Sequence, residues 1–435
     1  MKKIIAILVS ALMLAAVAVG CSTTTDTTAA SGSSSDGITL TFSWWGNQVR
    51  NERTQKVLDM YSESNPGISF DAQFLSWDDY WAKLATSAAG HTLPDIIQMD
   101  YSYLSQYVSS GLLVDLTPYI ESGVIDVSNV SQSILDAGTV DGKVYAICNG
   151  INAPCLLYNK TLTDEAGITI KDNMTMEEYF DVCREVYEKT GYKSTLANTH
   201  DNYIEYYCRA FDQVVYGEDG IGATEDTLTK FYSLYEQAKA EGWMLDPAVI
   251  AESGEDVETA RMVYGTAPDN MCWSTMDFSN QLSAYQNAAP EGVDIALSTW
   301  PSPDASKSNY LKPSQFFAIT TDSANPEEAA KVIDYITNSV ECNNVLLGER
   351  GIPVSSVVAE AIGESLTDID REVIAYVNDV VTPNCSAINP PVPDAANECY
   401  NLNKQLIEKI AYGEITAAEA AQEMIEKGNA YILEG

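Results

Sequence analysis

The apolar positions of this chain fall into a repeating order of strand and helix. Ile38, Leu40, Phe42 and Trp44 alternate with Thr39, Thr41 and Ser43, the two-residue period of a pleated strand. The next stretch reads as a helix to about Ser64, with Val57, Leu58 and Tyr61 on one face, and Asn65-Pro66-Gly67 stops it. Ile68, Phe70, Ala72 and Phe74 alternate again. Ser76 then caps a helix through about Ala88 that carries Trp77, Tyr80, Trp81 and Leu84 at helical spacing. Pro94-Asp95 leads into a short buried strand, Ile96-Ile97. This β-α-β-α-β order predicts an α/β fold with a mainly parallel sheet and helices on both faces. In such sheets ligands bind in loops beyond the carboxyl ends of the strands. Those loops are Trp45-Gly46-Asn47, Ser76-Trp77 and Gln98-Met99-Asp100-Tyr101. Thr175 to Glu178 and Thr416 to Glu419 form capping boxes, and Asn325-Pro326-Glu327-Glu328 marks a further helix start. No internal repeat is evident.

The first residues follow another pattern. Lys2 and Lys3 precede an apolar and small-residue run, Ile4 to Val19, ending at Gly20-Cys21. A positive start before a short apolar core predicts a secretory signal peptide over residues 1–20. The run is short for a bilayer span, which needs about 20 residues. Ala18, Val19 and Gly20 before Cys21 resemble a bacterial lipobox, which implies cleavage before Cys21 and lipid on its thiol. An ordinary signal peptide cut nearby is the alternative. Either way the rest of the chain is expected to work outside the cytoplasm, anchored through Cys21 in the lipoprotein reading. Residues 22–36, STTTDTTAASGSSSD, are too polar and small to build a core and read as a tether.

Composition narrows the function. Removing residues 1–20 from 435 leaves 415 residues, which suits two lobes better than one core. No later stretch is apolar enough to span a membrane, so the body is expected to be soluble. The net charge of −38 repels phosphate backbones and argues against nucleic-acid binding. With only His91 and His200, little material exists for a histidine metal site or a Ser-His-Asp triad. No cofactor or metal is expected. Of nine cysteines, eight remain after Cys21, and none form a CxxC pair. Free buried thiols are the favoured reading, and Cys385–Cys399 is the pair to test first for a disulfide.

The stretches TFSWWGNQVR, NPGISF, SWDDYWAKLATSAAG and LPDIIQMD resemble the family 1 extracellular solute-binding proteins of bacterial ABC sugar importers. The resemblance continues through DGKVYAI, LLYNKTLTDEAGI and TMEEY, then NPEEAAKVIDYIT and GERGIPVS. One departure is Cys148, where the family commonly has proline, and it bears on local hinge geometry. The resemblance implies a two-lobed, periplasmic-binding-protein-like fold of type II, with the ligand cleft between lobes. Three crossings are expected, near Ile147–Asn152, Trp300–Asn309 and Ser355–Ala361. Lobe one is then 37–147 plus 310–357, and lobe two is 148–309 plus 358–435. The implied function is capture of a sugar or oligosaccharide by lobe closure and delivery to ABC permease subunits, by a monomer and without catalysis. WWGNQVR, SWDDYWAKLA and LPDIIQMD look closest to members associated with plant-polysaccharide fragments, pectic ones included.

A sugar offers hydroxyls to amides and carboxylates, and CH faces to flat aromatic rings. The candidate contacts in the strand-end loops are Trp45, Asn47, Trp77, Asp100 and Tyr101, with Tyr103 nearby. Asn149 and Asn152 sit at the first crossing, Trp273 and Asp277 about a strand end, Trp300 at the second crossing, and Gln315 and Phe316 beyond it. Structural alternatives stand beside these. Trp44 is in core phase, and Trp81 reads as helix core. Trp77 could staple its helix, and Asp100 could cap a helix beginning near Ser102. Arg50 and Arg53 read either as a clamp for a uronate carboxylate or as an exposed helix face. Two other functions remain open: a glycosidase or lyase with paired carboxylates, and a surface glycan-binding lipoprotein without a transporter.

Overall fold

The computed structural model describes residues 37–46, 48–196, 202–252, 257, 260–393 and 396–434. The expectations for the signal peptide, Cys21, the tether and Asn47 lie outside the described residues. Residues 37–435 form one compact unit.

The strands that build its two main sheets are β1 (Ile38–Trp45), β2 (Ile68–Leu75), β3 (Ile96–Met99), β4 (Ala146–Asn152), β5 (Pro154–Asn159), β6 (Ser274–Phe278), β7 (Ile295–Ser298) and β8 (Lys312–Ile319). Helices follow the first three strands: α1 (Gln48–Ser64), α2 (Trp77–Gly90) and α3 (Tyr101–Ser109). Later helices include α4 (Met176–Thr190), α5 (Tyr203–Arg209), α6 (Glu225–Glu241), α7 (Pro326–Asn338), α8 (Ala396–Tyr412) and α9 (Ala417–Glu434).

The first sheet has the order β2-β1-β3-β8-β4. β1 pairs in parallel with β2 and β3, whereas β8 runs antiparallel to both β3 and β4. Four of the five strands therefore share one direction, with β8 inserted against them. The βα crossovers force the parallel part, and β8 arrives from a distant segment free of that constraint. β1 shows why the alternation predicts a strand: Leu40, Phe42 and Trp44 are all fully buried and pack with Val57, Leu58 and Ile333. Ser76 caps α2 by accepting from the Asp79 N–H. The Thr175–Glu178 box opens α4 with both reciprocal hydrogen bonds formed.

The second sheet has the order β6-β5-β7, both outer strands antiparallel to β5. The chain leaves the first sheet at Ala153, between β4 and β5, and rejoins it between Thr299 and Leu311. Ser355–Ala361 includes a short helix, Ser356–Ala361, and Ser355 bridges Val130. A large core rich in tyrosine packs on the second sheet, with Tyr179, Tyr203, Tyr206, Tyr232, Trp243 and Trp273 among its members. Among the described residues no helix is long and apolar enough to cross a membrane.

All eight described cysteines are free thiols, and Cys385 and Cys399 are not joined. Seven are buried; Cys385 is half-buried. The Cys148 thiol donates to the Gly150 carbonyl at 3.0 Å, so the residue that departs from the family pattern sits quietly inside β4.

Candidate functional site

A cavity of about 790 Å³ opens beyond the carboxyl ends of β1 to β3. Its far wall comes from the loop after β6, the start of β8, α5 and the segment Ile388–Val392. Strand phase sets the near wall. Trp44 points into the core and donates its indole N–H to Asn51 at 2.9 Å. Trp45 points the other way and lines the cavity, its ring 4.9 Å from Trp77 at an interplanar angle of 89°. Trp77 opens α2 and remains 41% exposed, a large apolar surface left at the rim. Behind this pair, Trp81 stacks on Tyr103 at 4.0 Å. It is half-buried rather than fully core, and its indole N–H is buried without a hydrogen bond.

Asp100 is the helix cap anticipated for it, and it also stands at the cavity wall. Its carboxylate accepts from the Ser102 N–H at 2.9 Å at the start of α3. Tyr101 lies along the cavity with its ring stacked on Phe316, and its hydroxyl donates to the Asn389 carbonyl at 3.0 Å. Burial pushes its phenol up to about 12. Asn152 and Asp277 line the cavity as well. Gln315 lines it with its amide committed inward, to Asn149 at 3.0 Å and the Arg350 carbonyl at 2.8 Å.

Four predicted contacts lie elsewhere. Trp273 is fully buried and donates its indole N–H to Ser194 at 2.5 Å. It precedes β6, whereas the cavity lies at the other end of that strand, at Asp277 and Phe278. At about 3.3 Å per residue, the four-residue step is roughly 13 Å. Trp300 is fully buried too, donating to the Cys155 carbonyl at 2.8 Å and packed at 5.0 Å against Tyr206. Phe316 is buried behind Tyr101. Asn149 does not line the cavity; it serves Gln315, and its amide nitrogen is buried without a hydrogen bond.

Other lining residues escaped the sequence reading. Lys312 begins β8 opposite Asn152. Its ammonium sits 4.0 Å over the Phe278 ring and makes no hydrogen bond or ion pair among the described residues. Burial lowers its pKa, opposed by Asp100, Asp277 and Glu205. Burial raises the Glu205 carboxyl, although Tyr400 donates to it at 2.6 Å and Arg209 and Lys312 lie near. Arg209 holds the Ile388–Val392 segment in place, bonding Asn389 at 2.6 Å and the Ala387 carbonyl at 2.8 Å. For Lys312 and Arg209 the available signal is the scarcity of cations, 24 lysines and arginines against 62 acidic residues.

Arg50 and Arg53 both line the cavity, so α1 does not present them as a plain exposed face. Arg50 pairs with Glu349 at 2.9 Å, and Arg53 donates to the Leu346 carbonyl at 2.6 Å. The segment Leu347–Gly351 reaches the cavity because β4 carries Gly150. A Cβ there would lie 2.0 Å from the Arg350 carbonyl oxygen, so a larger residue would push the segment away. Among the described residues no group of three or more His, Cys, Asp or Glu is placed to hold a metal ion.

The chain matches the family described as bacterial extracellular solute-binding protein over residues 46–340, more than half its length. A carbohydrate ABC transporter substrate-binding protein of Streptococcus pneumoniae is 24% identical over 306 residues, 66% of this chain and 60% of that one. A family 1 extracellular solute-binding protein from Alicyclobacillus acidocaldarius superposes with a TM-score of 0.79 at 24% identity, covering 92% of this chain and 99% of that one. A periplasmic oligogalacturonide binding protein from Yersinia enterocolitica superposes with a TM-score of 0.76 at 21% identity, covering 91% and 99%. The fold is that of the type II periplasmic solute-binding proteins.

Proposed function

Because the chain belongs to the bacterial extracellular solute-binding protein family, we propose that it captures an oligosaccharide in the cavity and delivers it to the permease of an ABC importer. The observation that carries this is the pairing of surfaces around one space. Trp45, Trp77 and Tyr101 offer flat apolar area, while Asp100, Asn152 and Asp277 offer hydrogen-bonding groups. Sugars need both on opposite edges. A volume of about 790 Å³ falls in the upper part of the range for small-molecule sites, about 300–1,000 Å³. The Streptococcus relative, named for carbohydrate transport, and the Yersinia structure, named for an oligogalacturonide, support the same reading.

In this proposal residues 37–147 with 310–357 form one lobe, and 148–309 with 358–435 the other. The bond from Tyr101 to Asn389 then joins the lobes across the cavity. The signal peptide directs export and is removed, lipid on Cys21 attaches the protein to the membrane outside the cytoplasm, and the protein acts as a monomer with no catalytic step. Thermal unfolding of residues 37–435 against neutral and acidic oligosaccharides tests the reading. A ligand at a hundred times its dissociation constant stabilises by about 2.7 kcal/mol, a shift of a few degrees. A shift with one sugar class, the sugar being recovered intact, is expected. No shift with any sugar overturns the proposal, and recovery of cleaved sugar replaces it with an enzyme.

A further inference from the structure

The chain has seven arginines and 62 acidic residues, yet four of those arginines, Arg50, Arg53, Arg209 and Arg350, line the same cavity. Two of them are spent on structure. Arg350 is buried and donates to Gln98 and Thr54. Arg209 is bonded to Ser308, Asn389, Ser386 and Ala387. Arg50 and Arg53 are different. They stand one turn apart near the start of α1, where i and i+3 share a face. Arg50 is held by Glu349. Arg53 is half-buried and donates to the Leu346 carbonyl, and it makes no ion pair among the described residues.

Charge is unevenly divided along the cavity. At the far end Lys312 and Arg209 face three carboxyl groups, Asp100, Glu205 and Asp277. At the α1 end, Glu349 pairs with Arg50 and lies near Arg350, and Arg53 pairs with no carboxylate among the described residues. Asp370 also lines the cavity, and its carboxylate caps Thr367. The first turn of α1 holds no acid, so the helix dipole adds to the positive field there. A half-buried guanidinium without a counterion is costly. A neutral sugar offers it only hydroxyls, whereas a carboxylate accepts two parallel N–H bonds from its planar fork.

We infer that the ligand is an acidic oligosaccharide whose sugar units carry carboxylates, and that Arg53 receives one of them. This rests on the oligosaccharide reading above and names its substrate class. Arg53 is the specificity-determining residue, because Arg50 already has a carboxylate partner in Glu349. The aromatic pair Trp45 and Trp77 lines the same cavity and would cover the apolar face of the sugar whose carboxylate Arg53 holds.

Calorimetric titration of residues 37–435 with galacturonate and glucuronate oligomers, their methyl esters and neutral galacto-oligomers tests this. The esters remove the charge and add one methyl group, and the neutral galacto-oligomers remove the carboxyl group altogether. At least one free acid should bind, with affinity at least tenfold above its ester. Arg53→Gln should lower acid affinity at least tenfold and ester affinity less than about threefold, the scale of losing a charge-assisted bond. Arg53→Lys should recover part of the loss while leaving the melting temperature unchanged. The inference is overturned if esters or neutral oligomers bind wild type as tightly as the acids. It is also overturned if a folded Arg53→Gln protein keeps full acid affinity. Tight binding of a neutral oligomer alone removes the acidic class and leaves oligosaccharide capture standing. Binding of no sugar at all removes both.

Discussion

Two pairs of tryptophans mark the two sides of this molecule. Trp45 and Trp77 stand at the ends of strands in the five-stranded sheet, and both reach the cavity. Trp273 and Trp300 flank strands of the three-stranded sheet, and both are fully buried with their indole N–H groups hydrogen-bonded inside the protein. The residue type is the same and so was the expected role. Chain direction makes the difference for Trp273, and cover by Tyr203, Tyr206 and Phe278 makes it for Trp300. The cavity lies beyond the carboxyl ends of β1 to β3, where Trp45 ends β1 and Trp77 follows β2. Trp273 sits at the amino end of β6, a strand length from Asp277. Its neighbours there are Tyr179 at 6.0 Å and Ser194. An aromatic side chain becomes a ligand surface only where no other part of the chain covers it.

The comparison breaks most sharply at Trp273. Trp273→Ala should cost about 3–5 kcal/mol of stability, as expected for a large ring removed from a packed core, read as a lower urea midpoint. Under conditions where the variant stays folded, its sugar affinity should match wild type. A large affinity loss in a stably folded Trp273→Ala protein would erase the distinction between the pairs.

Trp77→Ala should behave in the opposite way. Its ring is 41% exposed, so stability should fall by no more than about 1 kcal/mol, the scale of its edge contacts with Trp45 and Trp81. Oligosaccharide affinity should fall about tenfold, near 1.4 kcal/mol, by calorimetric titration.

A smaller effect separates the two ends of the cavity by pH. Burial raises the Glu205 carboxyl above its ordinary 4.5, outweighing Tyr400, Arg209 and Lys312. The folded protein therefore holds this proton at pH values where the unfolded chain has lost it. Stability should decline as pH rises from about 4.5 through the raised folded value, and the penalty is complete above that value. Glu205→Gln should flatten this part of the profile in urea unfolding across pH. An unchanged slope would show that Glu205 ionises like an exposed carboxyl.

The βαβαβ start of the first sheet was legible because each element announces itself locally. β1 alternates, Ser76 caps α2, and Asn65-Pro66-Gly67 ends α1. Strand phase alone separated Trp44 from Trp45, and the strand-end rule located the near wall of the cavity. The far wall was not legible. Lys312 begins a strand whose neighbours are β3 and β4, more than 150 residues earlier. Arg209, Tyr400 and Ile388–Val392 come from segments with no shared local pattern. Gln315 and Asn149 were singled out separately, yet the Gln315 amide donates to Asn149, which spacing could not reveal.

By itself, then, the sequence determined the order of strands and helices, the capped helix starts, the inward and outward faces of β1 and the family. Each of these follows from neighbours within a few residues or from motifs that keep their order along the chain. Only the tertiary structure decided which aromatics remain exposed, which cations keep an ion-pair partner and where charge gathers along the cavity. Those outcomes depend on burial and on distances between side chains far apart in sequence. Gly150 shows the link: by admitting the Arg350 backbone against β4, it brings Glu349 and Arg350 to the arginines of α1, some 300 residues away along the chain.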